Sequence, residues 1–288
     1  MGANEFNGFE AFLGVAFGGR HPLKYELNRD FGRPPQKMKN LDSRLQSAAA
    51  RLPYPPLFVT VSGAHLYGFA SPDSDFDLRG AHILPLRELV GLDAPRETVE
   101  ISETRDGLEW DIVSHDARKF FHFLLKDSGY ALEQVMSPLV VITSPEHGEL
   151  KAIARGCHNR RFARHYLGFG ENQWRLWTKK SPPRVKPLLY IYRVLLTGIH
   201  LMQSGQLECN LVDLNRIFGI SVVDDLVAMK TATVEHIELP DADLEFYRAE
   251  YDRMRALLIE AEANSPLPES ADIRPQLDDL LLRLRLGA

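Results

Sequence analysis

The segment Ser74-Asp75-Phe76-Asp77-Leu78-Arg79-Gly80 sets two carboxylates one residue apart between apolar neighbours. On a strand, alternate side chains share a face, so Phe76 and Leu78 can enter a core while Asp75 and Asp77 project together. Carboxylates held side by side repel unless a cation lies between them. Mg2+ suits such a pair, being a hard ion that prefers carboxylate and substrate phosphate oxygens. Leu108-Glu109-Trp110-Asp111-Ile112-Val113 supplies a third carboxylate by the same alternation, with Trp110 and Ile112 facing one way and Glu109 and Asp111 the other. Upstream, Val59-Thr60-Val61-Ser62-Gly63-Ala64-His65-Leu66-Tyr67-Gly68 reads as a strand that breaks at Gly63-Ala64 and enters a helix. That geometry presents backbone N–H groups and a positive helix terminus to a phosphate. The chemistry implied is metal-assisted handling of a phosphate ester.

Other chemistries fit less well. Asp73-x-Asp75-x-Asp77 imitates the start of a calcium loop, but Leu78 stands where that loop needs Gly and Leu84 where it needs Glu. The ten histidines form no HExxH or His/Cys ligand spacing. Cys157 and Cys209 lie outside any CxxC spacing, so neither a zinc site nor a disulfide framework is expected, and a reducing cytoplasm is. The N-terminus shows no signal-peptide pattern, and Phe12–Phe17 is too short an apolar run to span a membrane.

The elements that must position these residues follow from periodicity. A helical stripe of Met38, Leu41, Leu45 and Ala48 runs over Gln36 to Ala50, and Leu57 to Val61 is an apolar, β-branched run that reads as a buried strand. His65 to Phe69 is a short helix. Asp75 to Leu84 is the second strand, with a bulge expected at Gly80, and Leu108 to Ser114 the third, after a turn at Asp106-Gly107. Asp116 to Lys126 reads as an amphipathic helix that stops near Gly129, and Leu139 to Ile142 as a short apolar run. Beyond Pro145 the pattern is helical, clearest over Pro187–Met202, Leu244–Glu262 and Pro275–Leu286.

The 288 residues, 44% hydrophobic and 25% charged, have ordinary globular composition. A net charge of -5 argues against a nucleic-acid partner only if the charge is spread evenly. It is not. Residues 151–193 hold eleven Lys or Arg against the single acid Glu171, a local charge of +10, whereas Gln206 to the end holds 17 acids against 8 bases. The basic stretch also interleaves Phe162, Tyr166, Phe169, Trp174, Trp177, Tyr190 and Tyr192. Such a mixture suits phosphate neutralisation with base stacking, or equally a helix pair whose aromatics are core and whose cations are solvated.

In order, these motifs resemble the DNA polymerase β-type nucleotidyltransferase superfamily. More narrowly, Gly63-Ala64-x-x-Tyr67-Gly68 with Ser74-Asp75-x-Asp77-x-Arg79-Gly80 is similar to a nucleotidyltransferase family with RNA-repair-associated, RNA-ligase-linked members, as are Asp111–Phe121 and Lys186–Gly198. The resemblance spans roughly 57–205 and implies an α+β chain: a small mixed-sheet palm followed by a helical domain. The boundaries expected are an irregular arm over 1–35, a catalytic domain over 36–145 and a helical domain over 146–288.

Asp75, Asp77 and Asp111 are then the catalytic metal ligands, holding two Mg2+ ions, with Mn2+ as the substitute. Ser62, Gly63, Ala64, Ser74, Lys186 and Arg193 are the nucleotide-binding set. Lys186 and Arg193 lie about two turns apart on one helix, facing the charge on pyrophosphate. The superfamily has Ser where this chain has Ala64, so Ser62 or Ser74 is the substitute hydroxyl. His65 is open to a substrate-facing or a packed role; Glu133 is structural, and Trp174 and Trp177 are core. The reaction implied is transfer of NMP from an NTP donor to an acceptor hydroxyl, with an RNA end bound through 151–193. A small-molecule or protein acceptor, and a silent nucleotide-binding module, are the alternatives. No membrane partner is expected, and oligomeric state is not legible.

Overall fold

The computed structural model describes residues 42–105, 107–232, 237–239 and 242–287. The expected arm over 1–35, the first residues of the expected helix at 36–41, and Asp106 of the expected turn lie outside the described residues.

Among the described residues, five strands form one mixed sheet: β1 (Pro56–Val61), β2 (Phe76–His82), β3 (Thr98–Arg105), β4 (Leu108–Asp116) and β5 (Val140–Ile142). Their spatial order is β3-β4-β2-β1-β5. β2 and β4 run parallel, and the other neighbours are antiparallel. β1 is buried along nearly its whole length because both faces are covered, which is why it reads as a continuous apolar run. Val59 and Val61 join Phe76, Leu78, Trp110 and Ile112 beneath helix α1 (Asp42–Ala49), which contributes Leu45, Ala48 and Ala49. Leu57 and Phe58 join the opposite core, where Phe58 meets Phe120 edge-on at 5.2 Å.

Short helices connect the strands: α2 (Gly63–Tyr67), α3 (Leu86–Leu89), α4 (Ala117–Leu124) and α5 (Gly129–Met136). Asp116 caps α4 by accepting from the Arg118 N–H at 3.0 Å. Gly129 therefore opens a second helix, where the sequence suggested only the end of the first. The bulge expected at Gly80 is corrected. Pro56 pairs with His82 and Phe58 with Ala81, so the extra residue, Leu57, lies in β1. Gly80 continues an unbroken register with Ser114 of β4. Its glycine serves a close approach, since a Cβ there would stand 2.2 Å from the Phe58 carbonyl oxygen.

From Pro145 onward the chain is built of helices: α6 (Pro145–Arg155), α7 (Phe162–Trp177), α8 (Val185–Ser204), α9 (Leu211–Phe218), α10 (Ser221–Ala232), α11 (Leu244–Ala263) and α12 (Arg274–Leu286). α8 is the axle of this half, buried along most of its length and packed against α7, α9, α10 and α11. Trp174 and Trp177 are core residues, Trp174 stacking on Tyr251 at 4.7 Å and Trp177 donating to the Arg184 carbonyl at 2.9 Å. Cys157 and Cys209 are buried free thiols. No helix among the described residues is long and apolar enough to cross a membrane.

Sheet and helices share one hydrophobic core that runs from Leu57 to Leu280. Specific polar ties add to it. Lys230 of α10, fully buried, donates to Ser71 Oγ at 2.6 Å in the loop before β2. Arg285 of α12 donates to the Leu84 carbonyl at 2.6 Å and pairs with the buried Asp116. The helices thus hold the segments on either side of β2.

Candidate active site

Parallel pairing of β2 and β4 sets Asp77 directly beside Asp111. The alternation that drives Phe76, Leu78, Trp110 and Ile112 under α1 turns both carboxylates to the other face. Asp77 is the more enclosed, at 26% side-chain exposure against 45% for Asp111. Asp75 precedes the strand, just after the Ser71–Ser74 turn, and is half-buried.

Arg79, two residues beyond Asp77 on the same strand face, joins the pair. Its Nη2 donates to Oδ1 of Asp77 at 2.8 Å and to Oδ2 of Asp111 at 2.7 Å. Its Nη1 donates to the carbonyls of Leu78 at 3.0 Å and Asp111 at 2.8 Å. Burial raises the Asp77 carboxyl above its ordinary value; Arg79 opposes this and Asp111 reinforces it. Attraction from Lys186, on the first turn of α8, and from His65 also reaches Asp77. Tyr130, at the start of α5, lies within the fields of Arg79, Asp111 and Asp77.

The strand-to-helix break lies against the same carboxylate. Gly63 has φ +63°, and a Cβ there would sit 1.9 Å from Oδ2 of Asp77. Only glycine allows this approach. The Ser62 N–H donates to the Asp77 carbonyl at 2.8 Å, which pins the loop to β2 and commits that donor to protein. The Ala64 methyl is buried. His65 packs, its ring stacked on Phe76 at 4.4 Å.

Two members of the expected nucleotide-binding set are placed otherwise. Ser74 is 3% exposed, and its hydroxyl accepts from the Ser71 N–H at 2.9 Å, closing the turn rather than facing a substrate. Arg193 is also 3% exposed, paired with Glu133 at 2.6 Å and lying over the Tyr67 ring at 4.0 Å from its centroid. Tyr67 donates to the same Glu133 at 3.3 Å. This buried triad bolts α8 and α5 to the helix that follows Gly63. Arg193 thus supports the loop from behind, while Lys186 alone of the two is near Asp77. The basic stretch divides similarly: Phe162, Tyr166, Trp174, Trp177 and Tyr192 are core, whereas Arg161, Arg164, Arg175, Lys179, Lys180 and Arg184 are exposed.

The donor set is of the hard-oxygen type that a divalent ion prefers. However, no group of three or more His, Cys, Asp or Glu side chains among the described residues is placed to hold a metal. The space between Asp77 and Asp111 holds the Arg79 guanidinium. A pair of ions bridged by these two carboxylates does not fit this arrangement.

Sheet, glycine-broken loop and paired carboxylates together define a nucleotidyltransferase palm with a helical domain behind it. A family model described as RNA repair pathway DNA polymerase beta family matches residues 38–283, and the chain belongs to that family. An uncharacterised protein of Methanocaldococcus jannaschii is 36% identical over 155 residues, which cover 53% of this chain and 63% of that protein's length. A solved nucleotidyltransferase-like protein from Exiguobacterium sibiricum superposes with a TM-score of 0.29 and 10% identity over 79% of this chain and 75% of its own; so loose a likeness carries no argument.

Proposed function

We propose that the chain transfers a nucleoside monophosphate from an NTP to the hydroxyl of an RNA end. The observation that carries this reading is Asp77 standing level with Asp111, with the Gly63 backbone pressed against it. In the proposed step the acceptor oxygen attacks the α-phosphorus, the bond from that phosphorus to the bridging oxygen breaks, and pyrophosphate leaves. Asp111, the more exposed carboxylate, takes the hydroxyl proton. Backbone N–H groups at Gly63 and Ala64 face the donor phosphates, and Lys186 offsets the charge that builds on pyrophosphate. Asp75 and Asp77 are the residues to hold Mg2+, or Mn2+ in its place, which supplies positive charge to the triphosphate. Mg2+ commonly rests on one or two carboxylates completed by substrate phosphates, so a cage of three protein side chains is not required.

Support for RNA as acceptor comes from the family's description and from the exposed cations of α7 and the loop after it. The burial of the interleaved aromatics favours backbone contact over base stacking, and it is also what keeps a small-molecule or protein acceptor as the second reading. Each labelled NTP, supplied with Mg2+ and either an RNA oligonucleotide or a protein lysate, separates the two. Label moving to RNA is the expected result. Label on protein or on a small molecule alone overturns the RNA assignment, and no label on any acceptor overturns the transferase reading.

A further inference from the structure

The carboxylate pair already contains a cation. Of the four hydrogen bonds that hold the Arg79 guanidinium, two go to the backbone carbonyls of Leu78 and Asp111, within the strands themselves. These acceptors belong to the sheet backbone, so Arg79 is built into the site rather than laid across it. Its side chain is 14% exposed, and a guanidinium does not lose its proton in a protein. The charge between Asp77 and Asp111 is therefore permanent.

Position matters as much as charge. A metal ion shared by Asp77 and Asp111 needs an oxygen from each turned towards the space between them, and Nη2 stands there, 2.8 and 2.7 Å from those oxygens. The second oxygen of Asp77, Oδ2, faces Gly63 on the phosphate-loop side.

We propose that Arg79 is a resident substitute for the second metal ion, so that this site takes one divalent ion with its nucleotide rather than two. The inference rests on the metal-dependent reading above. It makes Arg79 a positioning residue: it fixes both carboxylates at the spacing the transfer needs, and it cannot itself activate the acceptor, which leaves the proton to Asp111.

Mn2+ with α,β-methylene ATP, whose scissile bond is blocked, provides the test by equilibrium dialysis and electron paramagnetic resonance. Two ions about 3.5–4 Å apart couple magnetically, whereas one gives an isolated-ion spectrum. The wild type is expected to hold one Mn2+ per chain with an uncoupled spectrum. Arg79→Met, checked for folding by circular dichroism, should take up a second ion and show coupling, and Arg79→Lys should stay at one. A coupled pair in the wild type overturns the proposal while leaving the metal-dependent reading intact, and so does a folded Arg79→Met that still holds one. No protein-bound Mn2+ in the wild type overturns both. Should Arg79→Met fail to fold, the wild-type and Arg79→Lys spectra decide.

Discussion

At the scale of single residues, Asp77 and Asp111 differ in their surroundings, and the proposed division of roles follows from that difference. Asp77 is pressed by Gly63 and paired with Arg79, and its backbone carbonyl holds the Ser62 N–H, while Asp111 is the more exposed of the two. Asp111→Asn should therefore lower turnover by roughly 10²- to 10⁴-fold, the usual range for losing a general base, and leave the affinity for a non-hydrolysable NTP nearly unchanged. Titration calorimetry beside single-turnover kinetics checks this; a parallel loss of affinity would place Asp111 with the donor. The shared face of both residues was legible from alternation around Phe76, Leu78, Trp110 and Ile112, because burying one face of a strand fixes the other. Arg79 was missed as a site residue although the same parity places it beside Asp77. Reading the face two residues further would have found it. Glu133 and Arg193 could be singled out along the chain, but their pairing across 60 positions could not, since nothing local records it.

Among the elements, α8 does two different jobs along one helix. Its first turn brings Lys186 near Asp77, while two turns later Arg193 is locked to Glu133 beneath Tyr67. Lys186→Ala should weaken NTP binding about tenfold, equivalent to about 1.4 kcal/mol, with an unchanged melting temperature. Arg193→Ala leaves Glu133 buried without its ion-pair partner and should cost about 3–5 kcal/mol of stability. Denaturant titrations set beside nucleotide affinities separate the two, and equal stability losses would erase the distinction. β1, β2 and β4 were readable as strands because their buried residues are apolar at the right period. β3 was not: Thr98-Val-Glu-Ile-Ser-Glu-Thr-Arg is a polar edge strand with only Val99 and Ile101 to mark it. The signal available was the Asp106-Gly107 turn, which implies a strand on each side. α5 is hidden in the sequence because a glycine after an amphipathic run reads as a helix stop, whereas Gly129 is a start.

For the whole molecule, buried histidines should make stability fall in acid. Burial pushes His82, His115 and His147 from 6.5 down to about 4. Folding favours their neutral forms, so between pH 6.5 and about 4 the unfolded chain binds more protons than the folded one. Stability should fall as pH falls through that window, by up to about 1.4 kcal/mol per pH unit for each histidine. Flat urea midpoints between pH 6.5 and 4.5 would contradict this. Charge asymmetry predicts a second bulk property. If exposed Arg161, Arg164 and Arg175 meet an RNA backbone, affinity for a single strand should fall with log salt by about 0.7 per phosphate contact. Replacing the three by Ala should flatten that slope and spare NTP binding, and an unchanged slope would move the RNA surface elsewhere. The sign of this charge was visible in the sequence, but the fate of its aromatics was not, because helix-face assignment depends on packing partners far along the chain.

Nucleotidyl transfer at the Asp77–Asp111 pair meets its most direct test in one paired measurement. Wild type and Asp77→Asn are incubated with Mg2+, an RNA oligonucleotide and an NTP labelled at the α-phosphate, and label on the RNA is followed beside thermal melts of both proteins. The wild type should label the RNA and release pyrophosphate, and the folded variant should transfer nothing above background. Equal transfer by a folded Asp77→Asn would show that the chemistry lies elsewhere in the molecule.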